Sequence, residues 1–125
     1  MAGRDASRRR DLRLRIERDG SLSGRQQPRP VKVLDLSPSG CLIRCDTLLD
    51  PGTILDLELR LERDPLRAKV RVTNSCLDGD TSPGEPPRFL AGLEFLSLFA
   101  REQAALRRFL EDERRRRRSA DAAAL

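Results

Sequence analysis

Apolar and charged residues alternate along much of the chain, which is typical of β-strands with one buried face. The pattern is clearest at Ile54–Leu61, where four leucines at every second position share one face and the other face is mostly charged. The same period of two predicts five further strands. They are Leu12–Glu17, Val31–Leu36, Cys41–Cys45, Arg67–Val72 and Phe89–Leu96.

Turn-forming residues separate these segments. The connection from Asp19 to Pro30 is rich in Gly, Ser, Gln and Pro, and Ser37–Gly40 is a short run of the same kind. Asp50–Gly52 predicts a further turn, and Asn74–Arg88 predicts a long polar loop. In the first strand, the alternation directs Leu14 and Ile16 to the core and Arg13 to solvent.

From Ala100 the apolar residues recur with the period of a helix, and Leu106, Phe109 and Leu110 fall near one face. Six short strands with a single apolar face would leave two exposed edges in a flat sheet. We therefore predict an all-β fold with a C-terminal helix, in which a small six-stranded antiparallel barrel is packed against that helix. The barrel and helix are expected over residues 8–113, with a flexible tail at 1–7 and a frayed basic tail at 114–125.

Composition limits the chemistry. The chain of 125 residues has room for one hydrophobic core, and it contains no His and no Tyr. Without histidine there is no evident nucleophile and base pair, so we predict that the protein is not an enzyme. Cys41, Cys45 and Cys76 are expected to be reduced, with no metal site and no cofactor.

The net charge of +5 is unevenly distributed. Both ends are rich in arginine, while the central part holds more acidic than basic residues, and the aromatic residues are four Phe. A domain that binds long nucleic acids usually combines a basic face with stacking aromatics, so nucleic acid is not the expected partner. No run approaches the roughly 20 apolar residues of a membrane span, which predicts no membrane insertion and a cytoplasmic location.

Two short motifs carry the functional signal. Arg9 and Arg13 have the spacing RxxxR within the arginine-rich start of the chain, and Asp35–Gly40 fits DxSxxG. In this order and with this gap the chain resembles the PilZ domain family, whose signature for binding cyclic di-GMP has these two parts. The turn Pro51–Thr53 and the strand Ala91–Phe95 extend the resemblance, which runs from about Arg8 to Leu110.

The resemblance implies a receptor that binds cyclic di-GMP and passes the signal to a partner protein, in control of motility, exopolysaccharide or virulence. Guanidinium groups suit the ligand because each can bind a phosphate or the guanine O6/N7 edge with two hydrogen bonds. Asp35 would accept from guanine N–H groups, Ser37 would donate to a phosphate or brace the turn, and Gly40 would allow a close approach or a special backbone conformation. The implied site comprises Arg8, Arg9, Arg13, Asp35, Ser37 and Gly40.

Each of these residues also has a simpler interpretation. The arginines could solvate a tail and a strand, and the Asp35–Gly40 segment could be a tight turn without a ligand. The second functional hypothesis is accordingly an adaptor that binds protein or nucleic acid through its basic ends, with the barrel as a degenerate scaffold.

Overall fold

The computed structural model describes residues 13–25, 27–62, 65–79 and 82–124. These residues form six strands followed by one helix, the order that the hydrophobic pattern predicts. The elements are β1 (Leu14–Ser23), β2 (Arg29–Ser37), β3 (Gly40–Cys45), β4 (Ile54–Arg60), β5 (Pro65–Leu77), β6 (Phe89–Ser97) and α1 (Ala100–Ala124).

The six strands close into an antiparallel barrel in the order β1-β2-β3-β6-β5-β4. Closure depends on β1, which pairs with β2 along one edge and with β4 along the other. Pairing with two neighbours satisfies the backbone groups that an open sheet would expose at its edges. The predicted six-stranded barrel with a C-terminal helix is therefore confirmed.

The inward-facing side chains make one apolar core. In β4, Leu57 and Leu59 are buried, and Leu55 packs against the core from a partly buried position, as does Leu61 directly after the strand. All four leucines thus lie on the predicted face. Each strand contributes to this core. Its fully enclosed side chains include Val33, Leu36, Ile43, Leu57, Leu59, Leu66, Val70 and Val72.

Strands β1 and β5 extend furthest beyond their predicted ends. Strand β1 continues through Asp19–Ser23, which we expected to be a loop because Asp, Gly and Ser favour turns. These residues extend because they pair with β2 or β4, and the central three, Gly20 to Leu22, pair with both at once. Gly20 suits the place because a Cβ there would lie 2.9 Å from the carbonyl oxygen of Glu58. Strand β5 likewise runs on to Leu77, where it still pairs with β6. Tertiary pairing overrides local propensity in both places.

Helix α1 packs on the barrel through one face. Leu106, Phe109, Leu110 and Glu113 are its buried side chains, spaced as one stripe of a helix requires. The guanidinium of Arg18 on β1 lies 5.5 Å from the centre of the Phe109 ring, a cation–π arrangement. Within the described residues, no helix is both long and apolar enough to cross a membrane.

The second half of α1 differs from the expected frayed tail, since the helix continues through Arg114–Arg118 to Ala124. The buried carboxylate of Glu113 accepts a hydrogen bond from Arg116 at 2.7 Å and lies 3.5 Å from Arg117. Arg116 also donates to Glu62 at 2.9 Å, and Arg117 donates to the carbonyl oxygen of Arg15. These links to the barrel hold the helix in place, which a sequence run of like charges does not reveal.

Candidate ligand-binding site

Arg13 and Asp35 lie together at the start of β1. Leu14 pairs with Leu36, so Arg13 is placed beside Ser37 at the end of β2. The guanidinium of Arg13 lies 3.6 Å from a carboxylate oxygen of Asp35, and 59% of the Arg13 side chain is exposed against 18% for Asp35. The last arginine of the RxxxR motif is thus next to the first residue of the DxSxxG motif, and its side chain is mostly exposed.

Asp35 is held in place from the opposite side by β3. Its Oδ1 accepts a hydrogen bond from the backbone N–H of Leu42 at 3.0 Å. This contact falls where the pairing of β2 with β3 shifts register between Val33 and Asp35. The bulge turns the carboxylate back toward the neighbouring strand, so the position of Asp35 does not depend on Arg13.

The side chain of Ser37 lies inside the DxSxxG turn and is not exposed at its surface. The side chain is fully buried, and its oxygen accepts hydrogen bonds from the backbone N–H groups of Ser39 and Gly40, each at 3.2 Å. The hydroxyl also lies 3.3 Å from the carbonyl oxygen of Gly40, to which it donates. Of the two roles predicted for Ser37, the structure therefore places it in the bracing role.

Gly40 is needed because β6 approaches closely. A Cβ at this position would lie 2.1 Å from the carbonyl oxygen of Leu93 and 3.1 Å from its carbon, which are backbone atoms that cannot turn away. Gly40 does not adopt a positive φ, in contrast to Gly52 and Gly84. Of the two reasons expected for a glycine here, close approach is the one that the structure supports.

Cys41 is the next residue after Gly40, and its side chain is buried in the core of the barrel. The pKa of its thiol is raised to about 12, mainly by burial and also by the Asp35 carboxylate, while the Arg13 guanidinium opposes the increase. Cys45 is also buried and Cys76 is exposed, and all three thiols are free. The residues described in the structure include no group of carboxylates or thiols arranged to hold a metal ion.

Arg8 and Arg9, the other predicted members of the site, lie outside the described residues, as does the predicted tail at 1–7. The structure thus brings together Arg13, Asp35, Ser37 and Gly40, two at the surface and two in the supporting turn.

The hydrophobic pattern and the motifs do not indicate that α1 lies next to the DxSxxG turn. A groove, called the α1 groove below, separates the helix from Pro38 in the turn. Its walls are Pro38, Leu98, Gln103, Leu106, Arg107, Leu110, Glu111 and Arg114. Its polar residues recur at intervals of three or four along α1, a signal that is hard to distinguish from an ordinary solvated helix face.

Comparison with known proteins identifies the family. The model of the PilZ domain family matches residues 7–112. Among solved structures, the PilZ domain of YcgR from Escherichia coli with c-di-GMP superposes with a TM-score of 0.71 at 17% identity, covering 91% of this chain and 98% of that one. No curated protein sequence matches.

Two further structures share the fold over part of their length. The K. pneumonia MrkH–c-di-GMP complex has a TM-score of 0.71 at 18% identity, over 89% of this chain and 54% of that one. The Bacillus subtilis inhibitor of motility MotI has a TM-score of 0.68 at 20% identity, over 85% and 51%. This chain thus spans about half the length of MrkH and MotI. The barrel agrees with this fold. The family match over residues 7–112 shows that the chain belongs to the PilZ domain family.

Proposed function

We propose that this domain is a receptor for cyclic di-GMP that passes the signal to a partner protein and catalyses no reaction. The observation that carries the proposal is the placement of Arg13 and Asp35, one from each motif, side by side at the end of the barrel. The PilZ domain of YcgR and MrkH, which share the fold, are both described with c-di-GMP.

The exposed groups have the chemistry that the ligand needs. Cyclic di-GMP has two phosphodiester anions and two guanines, and the guanidinium of Arg13 can bind either kind of group with parallel hydrogen bonds. The contact between Arg13 and Asp35 is long, at 3.6 Å, and exposed on the arginine side, so exchanging it for a ligand contact loses little. Asp35 would accept from guanine N–H groups.

The other members of the site have two different tasks. Arg9 and Arg8 precede Arg13 in the chain, and we assign them to further contacts with phosphate and guanine. Ser37 and Gly40 support the ligand indirectly, because a buried hydroxyl and a glycine under β6 fix the turn that forms the floor of the site.

We assign the domain to the cytoplasm, where it would act on motility, exopolysaccharide or virulence through a partner protein. MotI is described as an inhibitor of motility, which supports this setting. The absence of histidine and tyrosine from the chain supports a binding role over a catalytic one.

Isothermal titration calorimetry of the whole chain with cyclic di-GMP tests the proposal. We expect micromolar or tighter affinity and a preference over cyclic di-AMP and GMP. Protein at about 100 μM gives a clear isotherm for a Kd of roughly 1–10 μM. A flat titration under these conditions would refute the proposal and leave the adaptor with basic ends as the better hypothesis.

A further inference from the structure

The α1 groove is large enough to hold part of a small ligand. Its volume is about 370 Å³, within the range of about 300–1,000 Å³ that is usual for small-molecule sites. One wall is Pro38, which follows Ser37 in the DxSxxG turn, and the other is α1. The DxSxxG segment therefore contributes a residue to the groove as well as residues to the proposed ligand site.

The groove combines charged and apolar groups. Arg107 and Arg114 supply guanidinium groups, Glu111 supplies a carboxylate, and Gln103 supplies an amide. The apolar strip of the groove consists of Pro38, Leu98, Leu106 and Leu110. Cations for a phosphate, an acceptor for guanine N–H groups and an apolar surface for a base or ribose are what one nucleotide requires.

The guanidinium group of Arg114 is less committed to other contacts than those of the three arginines that follow it. Arg115, Arg116 and Arg117 each have a carboxylate within 4.0 Å. The Nε of Arg114, in contrast, is buried and has no hydrogen-bond partner in the part of the chain that the structure describes. A buried donor without a partner is unfavourable, so an acceptor that entered the groove would be bound with little competition.

A second contact links α1 to strand β1. Arg117 donates to the carbonyl oxygen of Arg15, two residues after Arg13, so α1 passes the start of β1 as well as the turn. The DxSxxG segment thus connects the two features, because its Asp35 is paired with Arg13 and its Pro38 lines the α1 groove.

We infer that α1 forms a further wall of the ligand site, in which Arg107 and Arg114 bind a phosphodiester of cyclic di-GMP and Glu111 accepts from a guanine. The inference rests on the proposed function and adds residues that neither motif contains. The nucleotide satisfies the Nε of Arg114 and packs on the apolar strip.

Calorimetry on single variants tests the assignment. We expect Arg114→Gln and Arg107→Gln each to weaken cyclic di-GMP binding about tenfold, the usual effect of losing a charged hydrogen bond. Arg114→Lys retains the charge and loses the planar group of donors, so it should restore only part of the affinity. Arg115→Gln is the matched control, because Arg115 is exposed on the same helix, contacts Asp112 at 3.9 Å and does not line the groove.

The outcomes separate the two proposals. If the wild type binds and the groove variants bind as tightly as Arg115→Gln, the role of α1 is wrong and the proposed function stands. If the wild type does not bind, both are wrong. If Arg114→Gln lowers the melting temperature of the free protein, the affinity of Arg107→Gln for cyclic di-GMP decides whether α1 contacts the ligand. Arg107 is exposed, so its replacement leaves the core intact.

Discussion

The DxSxxG turn and the start of β1 lie side by side, yet they are built in opposite ways. In the turn, the buried hydroxyl of Ser37 is hydrogen-bonded to backbone groups of the turn itself, and Gly40 lies against the backbone of β6. At the start of β1, the Arg13 side chain is 59% exposed and contacts Asp35 at 3.6 Å. One part of the signature is a fixed scaffold, and the other presents polar groups that are free to change partners.

This difference separates stability from binding. Replacing a scaffold residue should destabilise the free protein, and affinity would fall as a consequence. Replacing Arg13 should leave the free protein intact and reduce affinity directly. Measuring both quantities for each variant therefore assigns its residue to one part or the other.

Gly40→Ala should have the largest effect. Its Cβ would be placed 2.1 Å from the Leu93 carbonyl oxygen, and two paired strands would have to separate to make room. We expect a loss of about 3 kcal/mol or more in the free energy of unfolding, measured by urea denaturation. The control is Gly79→Ala, since a Cβ at Gly79 would meet nothing within 4 Å. Equal stability of the two variants would contradict the close approach of β3 and β6.

Ser37→Ala should have the next largest effect. The substitution leaves the N–H groups of Ser39 and Gly40 without their acceptor at a buried position, which costs about 1–3 kcal/mol. The melting temperature measures the loss, and Ser97→Ala is the control because Ser97 is an exposed serine at the end of β6. A Ser37→Ala variant as stable as the control that bound the ligand poorly would place Ser37 among the direct contacts instead.

Arg13→Ala should change stability least of these three. We expect a shift within about 0.5 kcal/mol, because an exposed ion pair contributes little, together with an affinity for cyclic di-GMP about tenfold lower. Arg67→Ala is the matched control, since Arg67 is an exposed arginine paired with Glu58 on β5 and β4, away from the site. If both variants bind alike, Arg13 is not a ligand contact.

Cysteine labelling detects the smallest of the expected effects, a local opening of the DxSxxG turn. Cys41 follows Gly40, and its pKa of about 12 keeps the thiol protonated and unreactive at pH 8, whereas Cys76 is exposed. The pKa of the Cys41 thiol is raised from 9.0 in the folded protein. The contribution of the protonated, buried thiol to the free energy of unfolding is therefore complete below pH 9 and declines toward pH 12. Mass spectrometry after maleimide treatment should find Cys76 modified first, and Gly40→Ala should accelerate modification of Cys41. Rapid labelling of Cys41 in the wild type would contradict a closed turn.

The hydrophobic pattern was sufficient to predict the six strands, the helix and the buried face of β4. It could not predict that Asp19–Ser23 is strand, because residues of low β propensity extend only when β1 closes the barrel between β2 and β4. It also could not predict the length of α1, which depends on contacts from Arg116 and Arg117 to Glu62 and Arg15, distant in sequence.

The motifs named the site residues but not how each acts. The reason for Gly40 lies in β6, more than fifty residues away, and the sequence left open whether φ or space required it. The burial of Ser37 and the approach of α1 to Pro38 likewise depend on long-range packing. The spacing of the motifs predicts which residues form the site. Only the closed barrel distinguishes the residues that support the turn from those proposed to contact the ligand.

Titration of the wild type and of the Arg9→Ala/Arg13→Ala double variant with cyclic di-GMP tests the central claim most directly. We predict micromolar or tighter binding by the wild type, no measurable heat from the double variant, and equal melting temperatures of the two free proteins. Binding of equal affinity by both proteins, or by neither, would contradict the claim that the arginine motif of this barrel binds the nucleotide.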